Sequence, residues 1–451
     1  MVRMWKVTGA GLLWIALVAG IGAGKLWAAP KAAQDQAKPA YTLAEYNAYQ
    51  AADKETNPQQ RIKLLDDFVK TYPTSTLMQY IYPDYYKTDI ALKNYAQAIE
   101  YCDRQIALGD KIDAQGRLDA YYNRATAFYL GSSDKAFQTP DMETKARDAA
   151  TQALKTLDDW KKPDAVNADQ FAQAVKVYKT AFTTIAAMSS VALKDYPSAV
   201  TYYKALVAID PTVAASHYSL GVADLTMAPP AATDGFWELS RAIALKVPNA
   251  PQVQTYLKNK LIQYQQASCN ELVDSQVTEL LALAASSGDK PATLNIPSAA
   301  DLAKALADTE NFIPALKAGG DAGKVMWLAS CGQEYPDVGV YAMDNAVVDG
   351  DTITIKVYRP STVDPDAAQK EMEAATDPNM QIKIVGQPEA SRIQKSDSFR
   401  FTGTLAGYSQ SPFLLSWEKA KINPEDLPEE KAAPGKKGPA KKTPAKKAPA
   451  N

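Results

Sequence analysis

LKDYPSAVTYYKALVAIDPTVAASHYSLGVADL, Leu193 to Leu225, decides how this chain is read. Apolar residues at Ala199, Tyr203 and Leu206 recur at spacings of four and three, which puts them on one face of a helix. Asp210-Pro211 ends that helix, because proline lacks the amide the next turn needs. A second helix follows, with His217, Leu220 and Gly221 on its inner face. Two helices joined by so short a corner must fold back on one another. Ala199 and Gly221 are the small residues that let them approach closely.

The same arrangement recurs in weaker forms. Asn94 to Leu108 keeps Ala98 and Ile99, and Ala120 to Tyr129 opens the next hairpin with Tyr121, Ala125 and Phe128. The stretch ending at Pro73 has Arg61 where alanine is usual, and Trp237 to Leu245 keeps Ala242 and Ile243 after the proline-rich insert Ala228 to Ala232. Together these residues resemble the tetratricopeptide repeat, a helical hairpin of about 34 residues. The resemblance covers residues 41–265, about half the chain. It implies a stack of hairpins curved into a superhelix whose hollow side binds segments of other proteins.

Outward from that core the composition changes. A basic start (Arg3, Lys6) precedes the uncharged run Val7 to Gly24, the layout of an export signal over residues 1–30, either cut or retained as a membrane anchor. Residues 31–40 read as a linker and 266–334 as a helical extension, with Ser298 the N-cap of a helix over 299–308. From 335 to 423 the period falls to two: Thr352 to Tyr358, Gln381 to Val385 and Phe399 to Leu405 alternate as half-buried strands do, and Phe413 to Trp417 adds an apolar run. A short helix at Asp366 to Ala375 interrupts them. This part loosely resembles an oligonucleotide/oligosaccharide-binding (OB) barrel. Residues 424–451, rich in lysine, proline and alanine, have nothing to bury and read as disordered. The fold class expected is therefore α+β multidomain, a helical superhelix followed by a small OB-like β-barrel and a disordered tail.

Charge and composition narrow the function. The 451 residues carry 49 basic and 51 acidic side chains. Ten of the bases lie in the first 30 and last 21 residues, which hold no acid, so the body has 39 bases against 51 acids. An acidic body argues against nucleic acid as the main partner. One histidine, His217, and three cysteines leave little for a hydrolytic triad or a zinc cage, and no phosphate-cradling glycine loop or nucleophile elbow is present. No catalytic residue, cofactor or metal is expected. His217 stands where the repeat places a packing residue. The pairs Asp66-Asp67, Asp158-Asp159 and Glu429-Glu430 lack calcium-loop spacing and read as solvated surface. Of the cysteines, Cys102 belongs to an apolar helix face; if a bridge forms, it joins Cys269 to Cys331.

Twenty of the 24 tyrosines fall before residue 266. Tyr95, Tyr196 and Tyr203 occupy packing positions. By the resemblance, Tyr122, Thr126 and Tyr129, with Tyr218, Val222 and Leu225, line the concave groove, and Arg124 binds a carboxylate terminus or acidic side chain there. The expected role is a protein-binding scaffold of a cell envelope, exported and either periplasmic or anchored, with the lysine tail touching an anionic surface. The competing reading places the work in the OB-like part, through exposed faces among Trp327, Tyr358, Phe399, Phe401, Phe413 and Trp417. A carboxylate-only glycoside hydrolase is a third reading, with no acid pair pointing to it.

Overall fold

The computed structural model describes residues 40–309, 311–362 and 364–428. The apolar run read as an export signal, nearly all of the expected linker and the lysine-rich part of the expected tail lie outside them. Sixteen α-helices and six strands form among the described residues. They divide into two compact units, residues 40–263 with 274–296, and residues 264–273 with 297–428. The expected helical extension is thus divided between the two. Among the described residues no helix is long and apolar enough to cross a membrane.

The first unit is helical: α1 (Leu43–Lys54), α2 (Pro58–Thr71), α3 (Met78–Ala91), α4 (Tyr95–Ile106), α5 (Ala114–Gly131), α6 (Pro140–Asp158), α7 (Ala168–Ala192), α8 (Tyr196–Ile209), α9 (Ala214–Thr226), α10 (Ala232–Ala244), α11 (Ala250–Gln265) and α12 (Asn270–Ser286), the last two reaching into residues 264–273. Starts are written in capping side chains: Thr42, Asn57, Asp113, Thr139, Asn167 and Asp195 each accept from a backbone amide that the first turn leaves free. From α1 to α10 each helix packs on its successor, and α5 also touches α3 and α7. The small, apolar positions of the hairpins are indeed interior: Ala98, Ala199 and Ala242 are fully buried, and Tyr121, Ala125 and Phe128 nearly so.

Three corners are built alike. Ala91-Leu92-Lys93-Asn94, Ala192-Leu193-Lys194-Asp195 and Ala244-Leu245-Lys246-Val247 each end a helix with lysine in the left-handed region, at φ 63°, 61° and 61°. In each, the next amide reaches back five residues to a carbonyl: Asn94 to Asp89 at 2.8 Å, Asp195 to Ser190 at 2.8 Å, Val247 to Ala242 at 2.9 Å. This closes the orphan carbonyls of the last turn without the usual glycine. Arg61, standing where alanine is usual, sends its guanidinium back to the carbonyls of Glu55 and Asp53, at 2.8 and 3.0 Å.

The helices α9 and α10 cross closely. A Cβ on Gly221 would lie 2.8 Å from the Gly235 carbonyl, and one on Gly235 would lie 2.6 Å from Leu225 Cγ. Beyond α12, residues 287–298 form an ordered loop: Arg241 donates to the carbonyls of Ala284 and Ser287, Lys290 pairs with Asp234, and Ile296 is buried.

The second unit holds α13 (Ala299–Ala307), α14 (Phe312–Ala318), α15 (Gly320–Ser330), β1 (Glu334–Ala342), β2 (Val347–Asp349), β3 (Thr352–Tyr358), α16 (Pro365–Ala374), β4 (Met380–Val385), β5 (Ser398–Gln410) and β6 (Phe413–Ile422). Ser298 caps α13 in a reciprocal box with Asp301. The six strands run in the order β1-β5-β6-β4-β3-β2, only β4 and β6 being parallel, and the far end of β1 pairs β3 as well, Tyr341 against Tyr358. Ile353, Ile355 and Val357 alternate inward along β3, as the period-two pattern requires. Their core takes in Phe399, Phe401 and Trp417, at 3%, 0% and 1% exposed, so these three are packing residues and no stacking platform. Cys269 and Cys331 form a disulfide with Cα atoms 5.8 Å apart, while Cys102 is free and buried.

The start of the tail needs correcting. Residues 424–426 form a 3-10 turn, and Arg400 clasps both of its acids, Asp426 at 2.9 Å and Glu425 at 2.8 Å. Leu427 then packs against the sheet core. The lysine-rich composition that signals disorder begins only after this clasp.

Candidate functional site

On α5, the groove residues separate into two faces. Leu118, Ala125 and Phe128 point into the core. Asp119, Tyr122, Thr126 and Tyr129, spaced by three, four and three, share another stripe, and all are half-buried. Tyr178 of α7 seals one side of the stripe: its ring meets Tyr122 edge-on at 5.6 Å, and its hydroxyl donates to Asp119 Oδ1. Gln115 Nε2 donates to both, at 2.8 Å to Tyr178 Oη and 3.1 Å to Asp119. Burial pushes the Asp119 carboxyl upward, against the hydrogen bonds from Tyr178 and Gln115 and the pull of Lys87. The Tyr122 and Tyr129 phenols are raised by the same loss of water.

Arg124 does not share that stripe. It is 7% exposed, and its Nε donates to Asp103 Oδ1 at 2.7 Å. A buried guanidinium needs a counter-charge, and the preceding helix supplies one, so this side chain is engaged within the unit rather than held out for a partner's carboxylate. The other three expected groove residues lie on α9. Tyr218, Val222 and Leu225 are half-buried, the Tyr218 phenol is raised by burial, and Leu225 closes over Gly235 of α10. Of the α5 trio Tyr122 meets Tyr178, and of the α9 trio Leu225 lies at the α9–α10 crossing.

The sequence reading missed a neighbouring group on α1 and α3. Tyr46, Tyr49 and Asp53 follow one face of α1, and Tyr80, Asp84 and Lys87 follow one face of α3, both with helical spacing. The rings run in a row: Tyr41 stacks on Tyr46 at 5.8 Å, Tyr46 meets Tyr49 at 6.5 Å, and Tyr49 meets Tyr80 at 5.9 Å. Tyr80 is 50% exposed and Tyr46 38%. Asp84 lies beside them with its Oδ2 buried and lacking any hydrogen-bond partner. Burial first, then the Asp53 charge, pushes its carboxyl up to about 6, against Arg61 and Lys87. Tyr49 against Tyr80 links α1 to α3, α3 packs on α5, and Lys87 of α3 pulls down the carboxyls of both Asp84 and Asp119. The spacing on each helix was visible in the sequence; that three helices bring their stripes together was not.

His217 is in the core, 4% exposed, with Nε2 2.9 Å from the Pro211 carbonyl and Nδ1 against Glu238. Nearby on α9, Asp224 is fully buried and neither carboxylate oxygen has a hydrogen-bond partner. Its carboxyl is pushed up to about 7, by burial first and then by Asp234 and Glu238, against Lys204 and Lys290. Asp66 and Asp67, and Asp158 and Asp159, are exposed, as read from their positions; Glu429 and Glu430 lie outside the described residues.

No protein-family model matches this chain, and no curated protein matches it.

Proposed function

We propose that this chain is a non-enzymatic scaffold that binds an extended segment of a partner protein along the tyrosine- and aspartate-lined faces of α1, α3 and α5. In this reading the hairpins are tetratricopeptide-like repeats stacked as a superhelix, and the protein works in a cell envelope after export. The observation that carries it is the row of half-exposed rings beside Asp84, whose buried oxygen lacks a donor. Open rings beside carboxylates offer a partner segment apolar contact and charge together. Supporting the stacked arrangement are the three like-built corners and the packing of α5 on α3 and α7 as well as on its chain neighbours.

The second reading, an OB-like binding domain, draws support from β1, which pairs β5 on one side and β3 on the other, as strand closure requires. The burial of Phe399, Phe401 and Trp417 removes its strongest stacking rings, and it ranks behind. A photo-activatable residue at Thr126, on the stripe, or at Lys155, exposed on α6, separates the outcomes. Defined cross-links to envelope proteins from Thr126 and none from Lys155 are expected; equal yields from both, or none from Thr126, overturn the scaffold reading.

A further inference from the structure

The chemistry of the α1–α3–α5 face selects its occupant. Its outer end offers open phenol rings, Tyr46 and Tyr80, in a row with neighbouring centroids 5.8 to 6.5 Å apart. Flat rings in a row receive proline, whose polyproline helix is already extended and loses little freedom on docking. The charges beside the rings are mostly carboxylates: Asp53 and Asp84 beside Tyr49, then Asp119. Of the cations close by, Arg61 is held by the backbone carbonyls of Glu55 and Asp53, leaving Lys87 against three acids. An acidic segment would be repelled there and a neutral one would leave the charge of Asp84 unmatched. A lysine ammonium can sit at the exposed Asp53 carboxylate and balance its charge together with that of Asp84 beside it, while its stem lies on a tyrosine face.

We propose, resting on the scaffold reading, that this face takes an extended peptide segment rich in lysine and proline. The chain itself carries such a sequence outside the described residues: KKGPAKKTPAKKAPA, residues 436–450, in which a lysine pair and a proline recur every five residues. It serves as the probe.

The experiment titrates a fluorescein-labelled peptide of that sequence with the full-length chain, using a form whose seven lysines between 431 and 447 are changed to serine so that its own repeat does not compete. Fluorescence anisotropy is expected to saturate. The exposed pair Tyr46→Ala/Tyr80→Ala should weaken binding about tenfold, and Asp84→Asn about fivefold. A peptide with its prolines changed to alanine should also bind several-fold more weakly. An unchanged far-ultraviolet melting curve shows that the variants fold; a variant that melts early is replaced by Tyr80→Leu, which keeps the apolar contact and loses the π face. Absence of saturation overturns the proposal, as does binding that salt abolishes but the tyrosine variants leave intact, which is charge attraction alone. If the peptide fails while Thr126 still cross-links a partner, the proposed peptide chemistry is wrong and the scaffold stands; if both fail, both fall.

Discussion

The two units spend their aromatic residues in opposite ways. In the sheet unit, Phe401 and Trp417 meet edge-on at 5.4 Å, Tyr335 packs against the same indole, and the rings of both strands turn inward. In the helical unit, Tyr41, Tyr46, Tyr49 and Tyr80 run as a row in which Tyr46 and Tyr80 reach solvent, with a partnerless carboxylate oxygen beside it. A strand alternates faces every residue, so an aromatic two positions from a core residue joins the core. A helix distributes its residues around a cylinder, leaving stripes that border the core without entering it. The half-buried stripe is where a phenol serves both as packing and as contact surface.

That contrast can be broken by perturbing each unit separately. Trp417→Ala should cost about 3–5 kcal/mol within the sheet, the range for emptying a large aromatic site. Near-ultraviolet signal and the protection of β4–β6 amides from exchange should then be lost well below the temperature at which helical signal falls. A single shared transition would show that the units do not unfold independently. Gly221→Val should cost about 1–3 kcal/mol by forcing α9 and α10 apart, since its side chain would meet the Gly235 carbonyl. The expected pattern is the converse, with the helical melt shifted down and the sheet's exchange unchanged.

The smallest effect concerns pH. Asp224, buried and further raised by Asp234 and Glu238 against the pull of Lys204 and Lys290, holds its proton up to about 7 in the folded unit. The unfolded chain releases it near the ordinary aspartate value of about 4. Between those values the folded state binds the extra proton, so stability is full below about 4 and declines as pH rises toward 7. Asp224→Asn should flatten that decline and raise stability at pH 8 by on the order of 1 kcal/mol. Melting temperatures measured across pH 4 to 8 check both; a wild-type curve rising over that range would reverse the assignment.

Much of this was legible in the sequence because the signals were local. Period-two alternation located β3, β4 and β5, Ser298 marked the start of α13, and Ala199, Ala98 and Gly221 marked where helices touch. Cys269 with Cys331 followed from Cys102 being a helix-face residue. What was not legible depended on partners distant along the chain. Arg124 looked like a free cation until Asp103, 21 residues earlier, came against it. His217 was rightly read as core, but its neighbour Glu238 could not be named from spacing. The face itself is drawn from α1, α3 and α5, and each contributes only three or four residues that look like ordinary helix surface when taken alone. The three lysine corners share Ala-Leu-Lys, but the same tripeptide also falls within α6 at 153–155 and within α14 at 315–317, and lysine is not a residue that sequence rules expect in the left-handed region.

The bond between Cys269 and Cys331 closes a ring of chain across 62 positions that includes the loop 287–298. A protease cutting inside that loop would therefore leave one molecule rather than two, with its fragments parting on a gel only after a reductant is added. Clipping in an oxidising environment would pass unnoticed by size, and the protein could carry such a nick through its working life.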